Sequence, residues 1–164
     1  MTTAEQQAIL KRLEKARAEL EEMLPRVDPT REIYPGWTIW QLLAHMTGWD
    51  DANIASLRAH VAGWVPATPA DRGVNAYNAQ TVSSRQDLDL EHVTKEWRLT
   101  RNILHTIIEE MPEEKFMEPL IVPWGGTATV TALIEVFIEH EHEHAGDLRE
   151  WLENPDRILG KKGN

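Results

Sequence analysis

The chain is 164 residues long and carries 27 acidic against 17 basic side chains, a net charge of −10 that argues against nucleic-acid binding, which needs clustered Lys and Arg. Hydrophobic residues make up 41% and charged residues 27%, the balance of one folded domain with a buried core, and no apolar run reaches the roughly eighteen residues of a membrane span. Cysteine is absent, which removes disulfides, thiolate nucleophiles and cysteine zinc sites together, so any transition metal must be held by histidine and carboxylate.

The opening segment alternates charged and apolar residues and lacks the hydrophobic stretch of a secretory signal, so a cytoplasmic location is the expectation. Ile9, Leu10, Leu13, Ala16, Leu20 and Leu24 recur near helical spacing and predict a helix from about Thr3 to Leu24, stopped by Pro25 and Pro29. After Tyr34-Pro35-Gly36, Thr38 and Gln41 have the spacing of a capping box and open a second helix that runs to about Gly63. Residues 67–86 are polar and read as a long loop with one short helical turn. A third helix starts near Leu88, carries Val93, Trp97, Leu99, Ile103, Leu104 and Ile107, and ends at Pro112. Residues 111–130 form a crossover punctuated by proline and glycine, in which Leu120 to Trp124 is the one strand candidate. A cap at Thr127 or Thr129 opens the last helix, which closes at Asn154-Pro155.

Four amphipathic helices, two long connections and no internal repeat predict an all-α fold, a four-helix bundle with long crossover connections. Residues 1–155 are expected to form a single domain. Residues 156–164, ending in GKKGN, are expected to be a flexible tail. Of the seven tryptophans, most are expected in the core and some in a pocket wall.

The last helix contains HEHEH, residues 140–144. At 100° per residue, His144 falls about 40° from His140, among Leu133, Phe137, Leu148 and Trp151 on the apolar arc. His142 falls on the opposite side, beside Glu135 and Arg149. On the second helix His45 also lies on an apolar face, one turn before Trp49. An inward i, i+4 histidine pair is costly to bury without partners. Two imidazoles from one helix and a third from a facing helix fill three positions of a tetrahedral metal site and leave one for water or substrate. His60, His92 and His105 show no clustering, so surface or packing roles are expected for them.

Other readings of these residues stay open. His140-Glu141-x-x-His144 matches HExxH, in which Glu141 would be the general base of a metalloprotease, but no third ligand motif follows it. Buried, hydrogen-bonded histidines in a plain helical module that binds no metal are another reading.

The segment GWTIWQLLAHMTGWD, residues 36–50, resembles the second-helix motif of the DinB-like (YfiT-type) metal-binding four-helix bundles. GVNAYNAQ in the following connection, Glu139-His140 and Glu143-His144, and Leu148-Arg149-Glu150-Trp151 extend the resemblance to the ClbS/DfsB-type subgroup, in order along nearly the whole chain. The resemblance implies a divalent ion, nickel or zinc, held by His45, His140 and His144 with solvent. It implies a metal-dependent hydrolase or thiol S-transferase acting on a small electrophilic molecule, of detoxification or stress type. With no cysteine in the chain, transfer would need an external low-molecular-weight thiol. Homodimers are a further implication, without an identifiable interface. The alternative is a non-catalytic small-molecule binding or sequestering protein with a structural or vestigial metal. Trp49 and Trp124 are candidate pocket walls, Asn75 and Tyr77 candidate covers for the open position, and Glu141 the first candidate base.

Overall fold

Each long helix starts at a side chain that satisfies its own first amides. In the computed structural model, which describes residues 2–160, Thr3 and Gln6 form a reciprocal capping box before α1 (Ala4–Met23), and Thr38 and Gln41 do the same before α2 (Ile39–Ala62). Asp89 accepts the His92 amide at 2.9 Å to open α4 (Leu90–Glu110), and Thr129 accepts the Ala132 amide at 3.1 Å to open α6 (Val130–Glu153). Between these lie α3 (Val74–Ser83), α5 (Glu113–Met117) and a two-residue antiparallel pair, β1 (Leu120–Ile121) with β2 (Thr127–Ala128).

α2 packs along α4 and α1 along α6, and the four long helices make the bundle that the apolar spacing predicts. α2 and α6 share no comparably close backbone approach, so large side chains bridge that seam. The core divides into two clusters. One holds Ile9, Leu13, Leu57, Leu104, Ile108 and Ile134; the other holds Leu20, Leu43, Val93, Trp97, Leu148 and Trp151. On α1, α4 and α6 the division falls at a buried charge, Arg17, Arg101 and Glu141, and on α2 the buried Asp50 lies just past it, next to Trp49. Glu141 Oε1 accepts from Arg17 Nη2 at 2.5 Å and Arg101 Nη2 at 2.6 Å, and Asp50 Oδ1 accepts from Arg101 Nη2 at 3.0 Å. The Arg17 guanidinium also stacks 4.0 Å over the Trp97 ring.

The sequence expectation of a loop over residues 67–86 is corrected by α3, a helix of 10 residues. Its buried residues, Tyr77, Asn78 and Thr81, are mostly polar, so no apolar stripe marks it, and it starts after Gly73 without a side-chain cap. It docks on α2 where Gly48 leaves room. A Cβ at Gly48 would sit 2.4 Å from Thr81 Cβ, and the Tyr77 hydroxyl donates to the Gly48 carbonyl at 2.5 Å. Gly48→Ala is therefore expected to lose about 1–3 kcal/mol by overpacking, read as a lower urea midpoint at unchanged slope. A midpoint equal to that of the parent protein would count against this close approach.

Within the segment expected to be a flexible tail from residue 156, the Leu159 amide donates to the Ile33 carbonyl at 2.8 Å and its side chain is buried. The rest of that expectation, residues 161–164, lies outside the described residues. Among the described residues, no helix is long and apolar enough to cross a membrane.

Candidate metal centre

Helical phase carries His45 on α2 and His140 and His144 on α6 into the same seam. His140 Nε2 stands 3.1 Å from His45 Nε2 and 3.0 Å from His144 Nε2, and one nitrogen from each of the three rings lies within 4.8 Å of the others. His45 and His144 are buried and His140 is half-buried. Nitrogens on two corners of a tetrahedron around zinc stand about 3.3 Å apart, close to these separations. A single N–H on His140 cannot point along two nitrogen directions at once, whereas one cation between the rings satisfies all three lone pairs. The donor set therefore fits a divalent ion, and His45, His140 and His144 are the residues that could hold it. Among the described residues, no carboxylate joins the group.

A hydrogen-bonded chain behind His144 fixes its ring. His144 Nδ1 lies 2.9 Å from the Tyr34 hydroxyl, and that hydroxyl donates to Asp147 Oδ2 at 2.8 Å. Burial and the Asp147 carboxylate push the Tyr34 phenol above its ordinary value of 10, so it keeps its proton. That one hydrogen is spent on Asp147. Nδ1 of His144 must then be the donor, which turns its Nε2 lone pair toward the other two rings. Tyr34 is placed by a tight turn, with Pro35 at its second position and Gly36 at φ 76°, closed by Trp37 N–H to Tyr34 C=O at 2.9 Å. Trp37 in turn packs 5.2 Å from the His45 ring.

The other histidines serve elsewhere. His142 is exposed on α6, 3.4 Å from Glu19. His60 meets the Lys115 carbonyl at 2.7 Å, His92 the Asp89 carboxylate at 2.7 Å, and His105 the Glu14 carboxylate at 2.8 Å. Glu141 is not placed as a base for the imidazole group. Its bonded oxygen is committed to Arg17 and Arg101 inside the bundle, so the HExxH arrangement, which needs a free carboxylate at the metal, does not form.

A cavity of about 400 Å³ opens beside His140, walled by Trp49, Trp124 and Phe137. The tryptophan walls match the expectation; the covers do not. Asn75 is exposed and Tyr77 is buried against Trp49 with ring centroids 4.7 Å apart, where it braces the wall, while Asn78 accepts the Trp49 indole N–H at 2.8 Å. Val74 is the residue that this segment gives to the lining. Tyr34 and Asp147 escape sequence reasoning because the loop carrying Tyr34 has no period; the Tyr-Pro-Gly turn signal marks the bend and says nothing of what the ring meets.

The family model described as the DinB superfamily matches residues 12–148. The chain belongs to the DinB superfamily. Among solved structures, this DinB-superfamily chain is similar to the crystal structure of the mycothiol-dependent maleylpyruvate isomerase, at 17% identity and a TM-score of 0.72 over 87% of this chain and 60% of that one. A histidine-to-alanine mutant of that isomerase matches at 16% identity and a TM-score of 0.71 with the same coverage. These likenesses establish the fold, all-α and DinB-like, and the chain spans 60% of the length of those enzymes. No curated protein matches it.

Proposed function

We propose that the protein is a metal-dependent enzyme that joins a small electrophile to an external low-molecular-weight thiol. One observation carries this reading: three imidazole nitrogens converge at 3.0 and 3.1 Å beside a cavity large enough for a small organic molecule. His45, His140 and His144 would hold nickel or zinc. The ion, when bound, would supply Lewis-acid chemistry to whatever takes its remaining position. Three protein donors with no carboxylate among them favour that open position over a closed structural site.

This chain's own residues do the rest. Tyr34 and Asp147 hold His144 in one tautomer, and Trp49, Trp124 and Phe137 present an apolar wall that excludes water from the face of a bound molecule. The similar solved structures are those of a mycothiol-dependent isomerase, and that likeness favours thiol chemistry over hydrolysis. A cytoplasmic setting, where small thiols stay reduced, suits that chemistry. The same family resemblance makes a homodimer part of the proposal, to be read by sedimentation.

The test is a titration of chelator-treated protein with zinc or nickel, followed by elemental analysis. One ion per chain is expected. With free ion about 100-fold above its dissociation constant, the melting temperature is expected to rise by about 5–11 °C. No bound ion and no rise would overturn the metal reading. Turnover of small electrophiles with and without glutathione or mycothiol then separates transfer from hydrolysis: activity independent of thiol would sink the transferase reading.

A further inference from the structure

We infer that Trp151 and the chain that returns from the end of α6 to Leu159 are positioning elements: they hold the loop that places Tyr34 on His144. The inference rests on the proposed function for the ion that His144 would hold, and its test reads the two separately.

Tyr34 needs support from outside its own loop. Residues 27–37 form neither helix nor strand, and their own backbone bonds only close the tight turn between Ile33 and Trp37 and smaller turns before it. The remaining backbone groups must find partners elsewhere. Three consecutive residues find them in the C-terminal part of the chain. The Glu32 carbonyl accepts the Trp151 indole N–H at 3.0 Å, the Ile33 carbonyl accepts the Leu159 amide at 2.8 Å, and the Tyr34 hydroxyl donates to Asp147 at 2.8 Å. Ile33, Tyr34, Trp151 and Leu159 are all buried and belong to one apolar cluster.

Two of these grips belong to the helix that carries His144. Asp147 and Trp151 follow it by one turn and two turns on the same side of α6. The rise of roughly 10 Å from His144 to Trp151 therefore sets where Glu32, and with it Tyr34, must lie. The third grip needs the chain to reverse. Pro155 follows the end of α6, the Asn154 N–H donates to the Trp151 carbonyl at 3.0 Å and the Arg157 N–H to the Asn154 carbonyl at 3.1 Å, and these turns carry Leu159 back to Ile33. Arg31 and Asp156 pair along the same seam, but both are exposed and add little. The Leu148-Arg149-Glu150-Trp151 run thus gains a role beyond the core: its tryptophan ties the second layer of the imidazole group to the helix that bears two of the three rings.

Trp151→Phe keeps a ring in the core but removes the indole donor, and Leu159→Pro removes the amide donor outside any helix. Each is made in the full chain, alone and combined with Tyr34→Phe, and zinc affinity is read by competition with a chromophoric chelator. Alone, each is expected to weaken zinc by about three- to tenfold, less than Tyr34→Phe itself. Combined with Tyr34→Phe, each is expected to add less than about twofold, because the hydroxyl they hold in place is already gone. The same loss with and without the Tyr34 hydroxyl, or no loss in either background, would overturn the inference. Trp151→Phe carries the test if circular dichroism shows Leu159→Pro unfolded. The second readout is the ring nitrogen spectrum of His144 in metal-free protein at one fixed pH, where the parent is expected to show the Nδ1–H tautomer and both variants a mixture. If the parent takes up no zinc, the metal reading fails, and a His144 tautomer unchanged by the variants would overturn the positioning role by itself.

Discussion

Asp50→Ala and Glu141→Ala are each expected to cost about 3–5 kcal/mol of folding stability, among the largest losses from any single substitution in this chain. Both carboxylates are at most 1% exposed and each faces two guanidiniums, from Arg17 and Arg101. Removing one carboxylate leaves two buried cations to share the other, an uncompensated charge inside the bundle. The expected loss is a large part of the roughly 5–15 kcal/mol that holds a domain folded. Urea unfolding is the measurement, and a loss below about 1 kcal/mol would mean that water reaches the layer. Replacing all four charges with apolar residues of similar volume is expected to be neutral or stabilising, because desolvation of the ions then disappears with them.

The same layer sets an acid limit. Burial opposes the charge of Asp50, but Arg101 and Arg17 outweigh it and hold the carboxyl below its ordinary value of 3.8. A carboxyl depressed in the folded state contributes its full stabilisation above the unfolded value, near pH 4, and loses it as pH falls through the lower folded value. Asp50→Asn is expected to be less stable near neutrality and to lose less further stability on acidification below about pH 4 than the parent. Parallel acid limbs for the two proteins would assign the acid transition to other carboxylates.

How far this was legible in the sequence depends on which residue did the work. Capping and apolar spacing are local, so α1, α2, α4 and α6 could be read with their starts within two residues of where they lie. Helical phase is also local, and it separated inward His140 and His144 from outward His142. α3 escaped because Tyr77, Asn78 and Thr81 bury a face that carries hydrogen bonds. The ionic layer escaped for a different reason. A charge at a core phase reads as an error or a surface residue until its partner is known, and each partner here is at least 33 residues away. Glu141 shows the cost of that blindness, since its neighbour His140 invited a catalytic role that two distant arginines take away.

The layer and the histidine group belong to one design. Glu141 follows His140 directly on α6, and Asp50 lies five residues beyond His45 on α2. α2 and α6 make little direct backbone contact, so the fixed rotation of each helix rests on what its side chains grip. Arg17 and Arg101 grip one carboxylate from each helix, and this keeps the imidazoles of both turned into the shared seam.

That geometry gives the second large effect, a graded loss of metal affinity. Tyr34→Phe keeps the ring and its packing but removes the hydroxyl between His144 and Asp147. His144 can then rotate or take the other tautomer, and affinity for zinc is expected to fall by about 10–100-fold, the usual effect of deleting such a partner. His140→Ala takes away a donor itself, and the nitrogen that both others approach, so its loss is expected to exceed about 100-fold. Competition with a chromophoric zinc chelator measures both, and far-ultraviolet circular dichroism checks that each variant stays folded. Asp147→Asn separates positioning from packing: an amide still accepts the Tyr34 proton but without charge, so its loss should fall between parent and Tyr34→Phe. If Tyr34→Phe binds zinc like the parent while His140→Ala does not, the three histidines suffice and the Tyr34–Asp147 chain only packs. If His140→Ala also binds like the parent, the ion sits elsewhere and the centre is a buried hydrogen-bonded cluster.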